Sequence, residues 1–175
     1  VKELEDLIFT ESFILFFENY EKIEKTLPLP KKFTVLCYLP PERSGFYGES
    51  LIKVLIEEYP DIKFIILGSE QFVNYNNVLT KKIDYDTDMT DLYSQSSLLV
   101  RLPQHDGFSS MVLEALSFGR NIIWTYNIPH VQYTELYQND LIQAFESAKK
   151  KDSNSKGAIW VKENFNYKVF INNLE

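Results

Sequence analysis

Cysteine, histidine and glycine are all scarce: the 175-residue chain holds one Cys, two His and six Gly. A single thiol, Cys37, excludes a disulfide framework and a thiolate metal site. Its place inside an apolar run predicts a buried small hydrophobe. His105 and His130 lie too far apart in sequence for a helical zinc motif. No Gly-x-Gly-x-x-Gly or Walker loop is present, which disfavours a dinucleotide oxidoreductase. Positive charge is also short, with 18 Lys and Arg against 25 Asp and Glu and a net charge of -7. Nucleic acid and anionic membrane both need a basic face, so neither is expected as the main partner. No apolar stretch reaches the ~18 residues of a membrane span and no signal peptide is evident. The expectation is a soluble, cytoplasmic domain, with peripheral membrane association left open.

Apolar residues are plentiful at 45%, with 13 Phe and 11 Tyr, enough for one sizeable core. Five apolar runs read as strands: Phe33–Tyr38, Lys63–Leu67, Val78–Ile83, Leu98–Leu102 and Asn121–Thr125. Several are continuously apolar, the signature of parallel strands covered on both faces. Helical patterns fall between them at Glu49–Tyr59 (stopped by Pro60), Asp88–Ser96 (capped by Asp88) and Ser109–Phe118 (stopped by Gly119). Further helices are read at Glu11–Lys25, Asp140–Lys151 and Gly157–Leu174. The alternation predicts an α/β fold: a Rossmann-like, doubly wound parallel sheet with helices on both faces. We divide the chain into residues 1–32, an N-terminal helix and stiff Leu27–Pro30 linker, and residues 33–175, the Rossmann-like domain. A chain beginning at Val1 is read as trimmed of its initiator or as part of a longer protein.

Ligands in such sheets sit beyond the carboxyl ends of the strands. One of the loops there opens His105-Asp106-Gly107-Phe108-Ser109-Ser110-Met111-Val112-Leu113-Glu114-Ala115-Leu116-Ser117-Phe118-Gly119. A helical wheel places Phe108, Val112, Ala115, Leu116 and Gly119 on a packing stripe. Ser110, Glu114 and Ser117 form a narrow polar seam, which either faces a ligand or simply faces water. Glu114 is the lone carboxylate on a nearly apolar helix and needs a partner. The free N–H groups at the helix start suit a phosphate, and Gly107 allows close approach. The acidic run Asp84–Asp88 lacks the turn glycine and bidentate Glu of a calcium loop, so a solvated loop is expected.

Asp106-Gly107-Phe108 through Glu114-Ala115 and Gly119 resembles the Glu-Gly-Phe…Glu-Ala…Gly signature of GT-B retaining glycosyltransferases, glycosyltransferase family 4. Leu39–Ser44 is similar to that family's first loop, Phe64–Gly68 to its second strand, and Trp160–Phe170 to its closing helix. The resemblance implies the nucleotide-sugar-binding, C-terminal half of such an enzyme, acting with retention and without a metal ion or separate cofactor. By it Glu114 would bind the donor ribose, Asp106 the transferred sugar and Arg43 the leaving diphosphate. Gly107, Phe108, Ser109, Ser110 and Met111 would add backbone or hydroxyl contacts, and Tyr85 would lie near the base. The donor is a UDP-, GDP- or ADP-sugar, and the partner an N-terminal acceptor-binding domain of the same protein. Two positions depart from the family: Asp106 replaces its usual Glu, and Tyr38 stands where it has an Arg. Arg43 then carries the diphosphate alone unless Arg101 or Arg120 reaches in. These departures keep two alternatives open, a non-catalytic Rossmann-like interaction module and half of a sugar-nucleotide epimerase.

Overall fold

A computed structural model describes residues 26–84, 87–107 and 109–165. Six strands form one sheet: β1 Thr34–Leu39, β2 Lys63–Gly68, β3 Val78–Lys81, β4 Leu98–Arg101, β5 Asn121–Trp124 and β6 Gln132–Tyr133. Their order is β3-β2-β1-β4-β5-β6, and every neighbouring pair is parallel. The continuously apolar runs form the central strands because both sides of the sheet are covered. Val35, Cys37, Leu39, Val100 and Ile66 face a core completed by α1 (Glu49–Glu58) and α4 (Gln138–Ala148). Leu36, Leu99, Ile65 and Trp124 face the opposite core with α2 (Met89–Ser94), α3 (Ser110–Ser117) and α5 (Ser155–Asn164). This is the expected Rossmann-like α/β fold with helices on both faces. Cys37 is fully buried, and burial pushes its thiol pKa up.

Several local expectations hold on physical grounds. Asp88 caps α2, accepting from the Thr90 and Asp91 amides at 2.9 and 3.2 Å. Val112, Ala115 and Leu116 are completely buried, as the wheel predicts. Other expectations need correction. The third strand ends at Lys81 and not Ile83, because Lys82 and Ile83 lie past the pairing with β2. The fourth and fifth strands also end one residue early, at Arg101 and Trp124. A sixth, two-residue strand was not expected; it is too short to show a period. The helix expected to run from Gly157 starts at Ser155, where Asn154 caps it through the Gly157 amide at 3.0 Å. It leaves helical geometry at Phe165, φ -123 and ψ 49. The expected Glu11–Lys25 helix lies outside the described residues.

The order reverses between β1 and β4, so the two chains leaving those strands diverge and open a crevice at their carboxyl ends. After β1 the chain makes a 3-10 turn over Pro41–Tyr47, started by Pro at its first position. Gly48 then adopts φ 76. A Cβ there would lie 2.7 Å from the Leu102 Cβ, so glycine lets the turn close against the end of β4.

Candidate functional site

Arg101, the last residue of β4, lies at the carboxyl end of the strand that neighbours β1. The β1–β4 register pairs Cys37 with Val100, which sets Tyr38 and Arg101 side by side on the face that carries α3. The Arg101 guanidinium lies 5.5 Å from the Tyr38 ring centre and 5.2 Å from that of Tyr47. The two rings meet edge to face at 5.2 Å. Nε of Arg101 donates to Oδ2 of Asp106 at 2.7 Å, with the side chains only 9% and 14% exposed. Asp106 is held again through its backbone N–H, which donates to Tyr126 Oη at 2.7 Å. The ring of Tyr126 in turn stacks on Trp124 at 5.0 Å. The carboxylate that sequence reasoning singled out is therefore anchored, and its counter-ion is Arg101.

Arg43 is placed differently. It is exposed on the 3-10 turn, with its guanidinium 4.6 Å from the centre of the Phe46 ring. It forms no salt bridge among the described residues. Phe46 meets His105 edge to face at 4.9 Å, and the Gln104 N–H donates to the Phe46 carbonyl at 3.0 Å. These contacts tie the turn after β1, which carries Arg43, to the loop after β4, which carries Asp106. Its neighbour Ser44 is buried and donates to the Glu49 carboxylate.

Helix α3 follows. Ser109 at its N-cap is buried, makes no side-chain capping bond, and no acidic residue lies in the first turn. The helix start thus keeps its unneutralised partial positive charge. Gly107 is exposed, with open space where a Cβ would stand. Glu114 is half-buried, and its Oε2 accepts from Tyr93 Oη at 2.7 Å. Tyr93 is itself buried in α2 and stacked 5.5 Å from Phe118. That hydroxyl is the partner the lone carboxylate required. Ser110 is exposed and Met111 half-buried. Ser117 departs from the expected polar seam: it is buried, and its hydroxyl donates to the Leu113 carbonyl at 2.8 Å, so it takes no part in the site. Phe108 and Tyr85 lie outside the described residues.

Beside the crevice, a cleft of about 690 Å³ opens past β1, β2 and β3, bounded by Tyr38, Pro40, Gly68, Gln71, Lys82 and Ile83. Arg120, the other cation considered for the diphosphate, points away from it. It is fully buried at the amino end of β5 and donates to the carbonyls of Ser96, Phe118, Leu27 and Pro28. Sequence reasoning missed the Tyr38–Arg101–Tyr47 packing, which only the strand register reveals. Among the described residues no group of three or more His, Cys, Asp or Glu side chains could hold a metal ion. No helix there is long and apolar enough to cross a membrane.

No family model matches the chain, and no curated protein matches it. Solved structures do. The chain is similar to sucrose-phosphate synthase from Thermosynechococcus elongatus, at 16% identity and TM-score 0.66, over 83% of this chain and 45% of that one. It is similar to the lipopolysaccharide outer core galactosyltransferase WaaB at 15% identity and TM-score 0.65, covering 87% and 51%. A third likeness is to the C-terminal domain of a glycosyl transferase group 1 family protein, LpcC from Francisella tularensis, at 11% identity and TM-score 0.53. There the coverage is 93% of this chain and 92% of that one. The fold is the one these glycosyltransferase structures share. The chain spans about half the length of WaaB and of the synthase, and nearly all of the LpcC domain.

Proposed function

We propose that the chain is the donor-binding half of a glycosyltransferase that moves a sugar from a nucleotide-sugar to an acceptor with retention. The observation that carries this reading is the Arg101–Asp106 pair at the end of β4. It is followed along the chain by an uncapped helix start and a second carboxylate on α3, on a fold shared with glycosyltransferases. In this reading the α3 amides and nearby cations bind the diphosphate, Glu114 the ribose hydroxyls and Asp106 the sugar. A carboxylate suits vicinal hydroxyls because its two oxygens accept two O–H donors. Tyr93 fixes Glu114 in place for that contact. Developing negative charge on the leaving diphosphate would be met by preorganised donors, the largest single source of catalytic stabilisation in many enzymes. Arg43, exposed on the turn after β1, would join them. The donor base would occupy the cleft bounded by Lys82 and Ile83.

Transfer needs a second wall. The acceptor would be held by an N-terminal domain of the same protein, and this chain alone would bind donor weakly and transfer little. The site is assigned no metal ion and no separate cofactor; the protein would work in the cytoplasm, where nucleotide-sugars are used.

Calorimetric titration with UDP, GDP, ADP and their sugars tests the reading. Saturable binding of one nucleotide, lost in Glu114→Ala, supports it. Tyr38 and the shorter Asp106 favour a second reading, an interaction module whose site has decayed. Failure of every nucleotide to bind would select that one.

A further inference from the structure

Arg101 is nine-tenths buried, yet its only hydrogen bond among the described residues runs from Nε to Asp106 Oδ2. Its two terminal nitrogens have no acceptor among the described residues, and Asp106 Oδ1 has no donor. A guanidinium carries five N–H donors in a planar fork, so four of these remain without a protein acceptor. A largely buried cation with unused donors calls for an anion or water to complete it. The rings of Tyr38 and Tyr47, at 5.5 and 5.2 Å, stabilise and orient the fork without consuming those donors. Two features nearby point to the same kind of ligand. Helix α3 begins without a side-chain cap or an acidic residue in its first turn, and Gly107 is exposed, with nothing near the place a Cβ would occupy.

We infer that Arg101 is the principal phosphate-binding residue of this site, gripping a diphosphate through its terminal nitrogens while Asp106 and the two tyrosine rings hold its plane. The identity of that diphosphate as part of a nucleotide-sugar rests on the donor-site reading. Arg101 then supplies from β4 the cation that Tyr38 does not supply from β1. Asp106 acts as a positioning residue through Oδ2 and keeps Oδ1 for a hydroxyl. Because Asp106 also repels an incoming anion, it tempers the affinity that it helps to orient.

Titration of the full chain with inorganic pyrophosphate, followed by UDP, GDP and ADP, tests the inference. The wild type is expected to bind pyrophosphate at one site. Arg101→Gln should weaken it at least tenfold, and Arg101→Lys should weaken it less, because an ammonium keeps the charge and loses the fork. Asp106→Asn should tighten binding severalfold; a purely structural ion pair would not give this sign. If Arg101→Gln fails to fold by near-UV circular dichroism, Arg101→Lys and the charge-balanced pair Arg101→Gln with Asp106→Asn carry the test. Wild-type affinity in the Arg101 variants, or no binding of pyrophosphate or nucleotide to the wild type, overturns the inference. Pyrophosphate bound through Arg101 with no nucleotide bound upholds it and sinks the donor reading. Nucleotide binding that depends on Glu114 but ignores Arg101 does the reverse.

Discussion

Two arginines are more than nine-tenths buried in this molecule, and they sit at opposite ends of the same sheet. Arg120, at the amino end of β5, is wrapped by carbonyl oxygens of Ser96, Phe118, Leu27 and Pro28. Burial lowers its pKa to about 10, so it stays charged at neutral pH. Arg101, at the carboxyl end of β4, has one carboxylate and two tyrosine rings, and most of its donors are unused. Arg120 is finished by the fold; Arg101 is finished by something else. Saturation of the donors, more than burial, separates a structural cation from one held ready for a ligand.

The comparison is broken most sharply by removing Arg120. Arg120→Met leaves several carbonyls unpaired and frees the 26–28 segment, which should cost about 3 kcal/mol or more of unfolding free energy in urea. Pyrophosphate affinity of the remaining folded protein should not change. Arg101→Gln should cost less, about 1–2 kcal/mol, because only one ion pair is lost and Asp106 stays partly solvated. Its main effect should be on anion affinity, the reverse of the Arg120 pattern. A Tyr93→Phe substitution removes the hydroxyl that holds Glu114, at about 1 kcal/mol of stability. It should weaken nucleotide binding while leaving pyrophosphate binding intact, separating the ribose contact from the phosphate contact. Arg43→Ala should move stability by less than about 0.5 kcal/mol, since the residue is exposed and among the described residues its side chain pairs only with a ring. If Arg43→Ala lowers pyrophosphate affinity more than Arg101→Gln does, the ranking of the two cations is inverted.

Much of this was legible in the sequence. The central strands announced themselves as continuous apolar runs, and the Asp88 cap and the buried stripe of α3 followed from spacing alone. Glu114 could be marked because it stands alone on an apolar helix, although its partner Tyr93 could not be named, since α2 and α3 are distant in sequence. The cation was the harder part. Arg43 drew attention by its place in the first loop, whereas Arg101 closes an apolar strand and reads as its polar end. Its importance depends on β1 and β4 being neighbours with Tyr38 beside Arg101, and strand register is not written in one strand's residues. Ser117 misled for a related reason: a serine on a buried helix can satisfy itself on the preceding turn. The two-residue β6 carries no periodic signal at all.

Chemical-shift mapping by nuclear magnetic resonance, with arginine Nε resonances resolved, tests the central claim most directly. On titration with the best-binding nucleoside diphosphate, the account expects the largest shifts at Arg101 Nε, Gly107 and the Ser109–Met111 amides. Arg120 Nε should stay still. Shifts confined to another surface, such as the lysine-bearing cleft around Lys150 and Lys156, or no shifts at all, would contradict it.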